Sequence, residues 1–198
     1  MIQSINLVGW IACVIYSTIP CFWFLIHPRV GYWRSRKGSP YLILLAAWAA
    51  MWIIVAAATA GGRHVALYST RWAWILALLL FTTGFWLYSQ SRKNFSARQL
   101  GGLPELVPGH HEQRLVTTGI RAHVRHPVYL GHLAEMLAWS IGTGLAVCYA
   151  LTAFAVISGA IMIRMEEREL EQRFGAAYAA YRERVPAIFP RISPRWLA

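Results

Sequence analysis

The chain contains no aspartate and only eight acidic residues in 198, and charged residues of every kind make up 14% of it. A soluble domain usually carries about a quarter of its residues as charge and about half as apolar side chains. Here 57% are apolar, which leaves too few polar residues to cover a water-soluble globule. The same composition excludes a disordered chain, which needs low hydrophobicity and much charge. Cysteine is scarce as well. Cys13, Cys21 and Cys148 sit inside apolar runs without pairing or ligand spacing, which excludes a disulfide framework and a cysteine zinc site.

What the chain does have is positive charge, 19 basic residues and a net charge of +11. A nucleic-acid-binding domain would spread that charge over a soluble helix or sheet. Here it avoids the long apolar runs and collects between and after them, the pattern of a membrane protein facing anionic lipid. No nucleic-acid partner is expected.

Five uncharged or nearly uncharged runs follow one another, at 5–26, 40–60, 72–89, 127–143 and 145–163. A helix needs about 20 residues to cross a bilayer. No basic region precedes the first run and no small-residue cleavage site follows it, so a removable signal peptide is the weaker reading. Segment 27–39 carries four basic residues and segment 90–125 carries six, while the intervening turns offer Arg63 and Arg71. The positive-inside rule then places the N-terminus outside and the C-terminus in the cytoplasm. Trp10, Trp23, Trp33, Trp72 and Trp196 lie near span ends and read as interfacial anchors. The expected fold is all-α: an integral membrane helical bundle of about five transmembrane helices. It divides into an N-terminal three-helix membrane region, 1–89, and a region 90–198 holding a cytoplasmic connector, a helical hairpin and a C-terminal helix.

The last two runs are separated by Gly142-Thr143-Gly144, a tight turn that folds them into an antiparallel hairpin. The start of one, Arg125-His126-Pro127, must then lie beside the end of the other, Arg164-Met165-Glu166-Glu167. Pro127 suits a first helical position, and the free N–H groups there favour an anion. Glu166 and Glu167 read either as a solvated helix face or as groups opposing a bound cation. Glu135 lies well inside the fourth run, where charge is expensive and usually functional or paired. His132 shares its helix face. The pair reads either as an internal hydrogen bond or as the polar lining of a substrate cavity. Beyond Arg164, Leu170, Phe174, Tyr178 and Tyr181 recur at helical spacing, giving an amphipathic helix that lies on, or folds over, the cytoplasmic ends of the bundle.

Two blocks of residues carry a family resemblance. Leu115-Val116-Thr117-Thr118-Gly119 followed by Arg125-His126-Pro127-Val128-Tyr129-Leu130-Gly131 resembles the LVTxG…RHPxYxG signature of the isoprenylcysteine carboxyl methyltransferase family. Glu166-Glu167, Leu170, Phe174-Gly175, Tyr178, Tyr181, Arg184-Val185-Pro186 and Pro190 are similar to its EExxL…FGxxYxxYxxRVPxxxP ending. The resemblance covers 113–191. It implies an integral membrane methyltransferase that uses S-adenosylmethionine, with its active site on the cytoplasmic face and a lipophilic acceptor, an isoprenylcysteine carboxylate or a lipid amine. Carried over by position, the cofactor-binding residues are Gln113, Arg114, Leu115, Val116, His126, Pro127, Val128, Tyr129 and Glu166. Arg164 and Glu167 are expected to orient the acceptor, His132 and Glu135 to line its site, and no metal is expected. The chain departs from the family pattern at Gln113 (a His there), at Arg121 (often a Tyr) and at Met162, where the eukaryotic enzymes carry a substrate-contacting Arg.

Two other functions fit parts of the pattern. A sterol-type membrane reductase, with an NADPH cofactor held by Arg114, Arg121 and Arg125, shares the C-terminal architecture. A transporter or scaffold would use His132 and Glu135 as a relay, but would not need a Glu pair facing a His-Pro helix start.

Overall fold

The computed structural model describes residues 2–36, 39–93, 106 and 114–190. Seven α-helices run through them: α1 (Ile2–Ile26), α2 (Val30–Ser35), α3 (Tyr41–Thr59), α4 (Ala73–Arg92), α5 (Pro127–Thr143), α6 (Ala146–Phe174) and α7 (Ala176–Arg184). Short 3-10 turns occupy His27–Arg29, Ala60–His64 and Gly119–Ala122. Helices α1, α3, α4, α5 and α6 match the five apolar runs. Four candidate spans, Gln3–Ser35, Tyr41–His64, Ala73–Arg92 and Ala146–Phe174, are long and apolar enough to cross a membrane. α5 has 17 residues and carries His132 and Glu135, so it is the shorter and more polar member of the bundle. The protein is a helical membrane bundle.

The surface shows why lipid is its solvent. Leu42, Ile53 and Ile54 on α3, Leu78, Leu79 and Phe85 on α4, and Ile157 on α6 are each more than 60% exposed. Apolar surface on that scale marks contact with something other than water. One core cluster of the interior is shared by the early and late helices. Trp10, Cys13 and Val14 of α1 pack with Met136 of α5 and with Val147, Cys148 and Leu151 of α6. Helix α4 packs along α5, and α1 lies between α3 and the α5–α6 hairpin. The boundary expected at 89/90 falls within α4, Ala73–Arg92.

Close approach of α4 to α5 depends on two glycines. A Cβ on Gly131 would stand 2.6 Å from the Tyr88 ring, and one on Gly84 would stand 2.9 Å from Glu135 Cγ. Small residues of this kind let membrane helices pack backbone to backbone.

The hairpin turn forms where the sequence places it. Gly144 takes φ +66° and its N–H donates to Ser140 O, closing α5. The connection from α3 to α4 reinforces this end: Leu67 N donates to Gly144 O and Ala146 N to Val65 O. The tryptophans near the span ends differ in their surroundings. Trp72 is 72% exposed, as an interfacial anchor should be. Trp10 and Trp33 are instead buried, donating from Nε1 to Thr59 Oγ1 and to Leu25 O. Trp23 faces a cavity inside the bundle. The apolar bodies of Trp10 and Trp33 are held by helix packing, with the indole N–H satisfied inside the protein. Trp196 lies outside the described residues.

The turn provides a test. A Cβ on Gly144 would be strained by its positive φ and would stand 2.3 Å from Tyr68 O, and the left-handed conformation alone costs about 1–2 kcal/mol. Gly144→Ala should lower the thermal midpoint in detergent measurably. Gly31→Ala, where a Cβ meets nothing within 4 Å and the residue is helical, should not lower it.

Candidate active site

The hairpin brings Arg125 and His126, at the start of α5, against Glu166 and Glu167 near the exposed end of α6. His126 Nε2 lies 3.1 Å from Glu167 Oε1, and His126 Nδ1 lies 3.7 Å from Glu166 Oε2. Pro127 occupies the first helical position of α5 and His126 precedes it with non-helical φ/ψ. Arg125 is 7% exposed and holds three elements together. Its Nε donates to Glu167 Oε1 at 2.8 Å, its Nη2 also reaches Glu167, and its Nη1 donates to Arg182 O at 2.9 Å and to Val185 O. Those two carbonyls belong to the end of α7, where backbone acceptors lack helical partners. The main chain joins in: Arg125 N donates to Pro186 O and His126 N to Ala187 O, both at 2.9 Å. Tyr181 Oη donates to Arg121 O at 2.6 Å. The two motif blocks that stand apart in sequence are thus bonded to each other.

The amphipathic tail is not one helix. α6 continues past the bilayer-length run as far as Phe174. Gly175, at φ +54°, breaks it and α7 folds back. Leu115, Leu170 and Phe174 pack around the buried Tyr178, Tyr181 and Val185.

Beneath this cover lies a cavity of about 730 Å³, within the usual range for cofactor and ligand sites. Arg114, Leu115, Val116, His126, Val128, Tyr129 and Glu166, all assigned above to the cofactor, line it together. Gln113 lies outside the described residues. Pro127 is buried in the first turn of α5 rather than in the wall. Among the groups assigned to the acceptor, His132 lines the cavity, its ring set among those of Tyr16, Tyr88 and Tyr129 at centroid distances of 5.3, 5.5 and 6.2 Å.

The other three residues assigned to the acceptor do not line the cavity. Glu135 is one layer deeper than the wall, and its carboxylate accepts from Tyr16 Oη of α1, not from His132. Glu167 is committed to Arg125 and His126 and does not line the cavity. Arg164 is exposed on the outside of α6 and does not line it either. One helical residue separates neighbours by about 100°, so the Glu166 face and the Arg164 face of α6 differ widely. Met162 is fully buried in helix packing.

Three polar atoms of the wall are buried without a hydrogen-bond partner: Glu166 Oε2, Tyr178 Oη and Tyr88 Oη. Such groups are normally satisfied, so their convergence on one cavity points to a polar ligand. Burial first, and then the Glu167 carboxylate, push the Tyr178 phenol above its ordinary range. Tyr178 therefore remains a hydrogen-bond donor at neutral pH. The opposite wall is apolar, built from Ile19, Phe22 and Trp23 of α1 with Leu45 and Trp48 of α3. These residues, with Tyr88, Ser91 and Arg92 of α4, were not legible as site residues in the sequence. They come from spans whose only visible signal is hydrophobicity.

An anion-friendly helix start facing a carboxylate under an aromatic cover is an arrangement that could hold a charged ligand. The sequence profile of the phospholipid methyltransferase family matches residues 72–177, and the chain belongs to that family. It is similar to Delta(14)-sterol reductase of Mus musculus, 35% identical over 57% of this chain and 29% of the reductase. It is also similar to protein-S-isoprenylcysteine O-methyltransferase B of Arabidopsis thaliana, 39% identical over 42% of each chain. Against the cobalt-zinc-cadmium resistance protein CzcN of Cupriavidus metallidurans the identity is 31%, over 86% of this chain and 67% of that protein. The chain thus spans less than half the length of the first two. No solved structure gives a significant match.

The Arg125 junction predicts a specific failure. Arg125→Met leaves Glu167 buried without its cation, and breaking a buried pair typically costs about 3–5 kcal/mol. Trypsin should then cut faster around Arg173 and Arg182 as α7 detaches. The double variant Arg125→Met, Glu167→Met should recover part of the lost stability.

Proposed function

We propose that this protein is an integral membrane methyltransferase that transfers a methyl group from S-adenosylmethionine to a lipophilic acceptor at its cytoplasmic face. The observation that supports this reading is the buried Glu166 Oε2, which lacks a hydrogen-bond partner as Tyr178 Oη does, in a cavity with one charged and one apolar wall. When bound, the cofactor supplies an activated methyl on a sulfonium. Its amino-acid end carries an ammonium that suits Glu166 and a carboxylate that suits His126 and the N–H groups opening α5. The ring face of Tyr129 suits the sulfonium. Leu115 and Val116 provide an apolar bed for the adenosine.

The chain's own contribution is alignment and exclusion of water. Helix α7 closes the charged end of the cavity with Tyr178 and Tyr181. The apolar wall of α1 and α3 receives the tail of the acceptor. Leu45 lines the cavity and is also 50% exposed on α3, so the cavity reaches the lipid-facing surface. An acceptor dissolved in the bilayer would enter there, while the cofactor comes from the aqueous side.

The reductase reading is weaker on the same geometry. Of the three arginines available for dinucleotide phosphates, Arg125 is committed to Glu167 and two carbonyls, and Arg121 donates to Arg125 O.

Glu166→Gln removes one charge-assisted contact, worth about 1.5–3 kcal/mol. It should weaken S-adenosylhomocysteine binding roughly 10- to 100-fold in calorimetry, while Arg164→Ala leaves it unchanged. Membranes supplied with radiolabelled methyl donor should release label into the organic phase. Thermal stabilisation by NADPH and none by S-adenosylhomocysteine would overturn the proposal.

A further inference from the structure

One face of α6 is turned to lipid along the membrane span and then ends in charge. Phe154, Ile157 and Ile161 stand exposed on it. Arg164 and Arg168, exposed as well, continue the same steps of three and four residues. Such steps keep side chains on one side of a helix, so an apolar stripe runs straight into two guanidinium groups. Neither arginine lines the cavity, which α6 meets with Glu166, Leu170 and Arg173.

Helix length sets the depth of the pair. Residues 146–163 rise about 27 Å at 1.5 Å per residue, close to the roughly 30 Å of hydrocarbon in a bilayer. Arg164 therefore meets the edge of the hydrocarbon, and Arg168 stands about 6 Å further out. The headgroup layer on each side is about 5–8 Å thick, so the two arginines span it. On the positive-inside reading this is the cytoplasmic leaflet, where anionic lipid collects.

Their charge is not compensated by the helix. Like charges four residues apart on one helix repel. The nearby carboxylates of α6 are engaged elsewhere: Glu167 by Arg125 and His126, and Glu169 by His27 and Arg173. Arg182 donates to both oxygens of Glu171, at 2.6 and 3.2 Å. Among the described residues, neither Arg164 nor Arg168 forms a hydrogen bond or an ion pair. An anion lying between the two guanidinium groups converts their repulsion into attraction, and each planar fork matches the oxygens of a phosphate.

We propose that Arg164 and Arg168 bind the phosphate of an anionic phospholipid whose acyl chains lie along Phe154, Ile157 and Ile161. This lipid site is on the outside of α6 and separate from the cavity. The inference depends on the membrane bundle alone and not on the methyltransferase reading.

The competing account is a pair of water-solvated arginines indifferent to the headgroup beside them. Titrating the full-length protein in detergent with dioleoylphosphatidylglycerol or dioleoylphosphatidylcholine, read by native mass spectrometry, separates the two. The wild type should bind phosphatidylglycerol about 10-fold or more tightly than phosphatidylcholine. The double variant Arg164→Gln, Arg168→Gln should lose that preference. Arg29→Gln, Arg184→Gln, which removes two exposed arginines elsewhere at the same end, should keep it. Without lipid, the Arg164→Gln, Arg168→Gln protein should unfold no earlier than wild type, because it relieves a like-charge pair. Earlier unfolding would make the arginines part of the fold's own stability and overturn the proposal. So would equal binding of the two lipids, a preference that survives in the double variant, or one lost equally in the control. Glycerophosphoglycerol, the headgroup without acyl chains, should not displace the lipid at equal concentration. Displacement would leave a phosphate site that is not a lipid site. A dimer that the double variant dissolves would assign this face to a second copy of the chain instead.

Discussion

The buried guanidinium of Arg125 is the contact on which the charged end of the molecule depends. A cation taken out of water must be paired and fully hydrogen-bonded, and Arg125 achieves this only if three separate helix ends converge. Glu167 brings the end of the α6 span, Arg182 O and Val185 O bring the end of α7, and Arg125 itself fixes the start of α5. The carbonyls at the end of α7 need donors in any case, so one side chain meets both demands. Once these ends are joined, the position of the cover over the cavity follows, because only Gly175 separates α6 from α7.

The consequence for chemistry is a division of labour along α6. Adjacent residues on a helix point about 100° apart, so Glu167 can hold the junction while Glu166 faces the cavity. Glu169, a turn further on, faces the end of α1. The three carboxylates are thus distributed among three partners: Arg125 with His126, the cavity, and His27. An acidic cluster in a chain with only eight acidic residues would otherwise repel itself. Here each member has its own cation or its own space.

The sequence makes some of this legible and hides the rest, for physical reasons. The five spans, the turn at Gly144 and the meeting of His126 with Glu166 follow from hydrophobic length and hairpin geometry, which are local. The tyrosine and leucine stripe beyond Arg164 is visible as periodicity, although Gly175 divides it into two helices. What cannot be read is which face of an apolar span looks inward, since lipid and protein interior are equally apolar. That is why Trp10 and Trp33 read as interfacial anchors when packing and hydrogen bonds hold them inside, and Trp23 when it lines the cavity. The same ambiguity hides the apolar wall of Phe22 and Trp48. His27 and Glu169 are 142 residues apart, and Tyr16 and Glu135 are 119 apart. Neither pairing has a local signature.

Glu135 shows how the bundle solves a harder problem in its interior. A carboxyl group at this depth is expensive unless it is partnered, and the two neighbouring helices are shaped to hold it. α1 supplies the Tyr16 hydroxyl, and α4 supplies Gly84, whose missing side chain leaves room for Glu135 Cγ. Tyr16 and Tyr88 then flank His132 on the cavity side. On the far side, Cys13, Met136 and Cys148 form part of the apolar core. The polar layer is therefore the floor of the cavity, with packed core below it and ligand space above it. The Tyr16–Glu135 bond ties α1 to α5, and α3 is tied to α1 in turn by Trp10 Nε1 donating to Thr59 Oγ1 and Trp48 Nε1 donating to Thr18 Oγ1, so polar contacts fix which faces meet where lipid and protein are equally apolar.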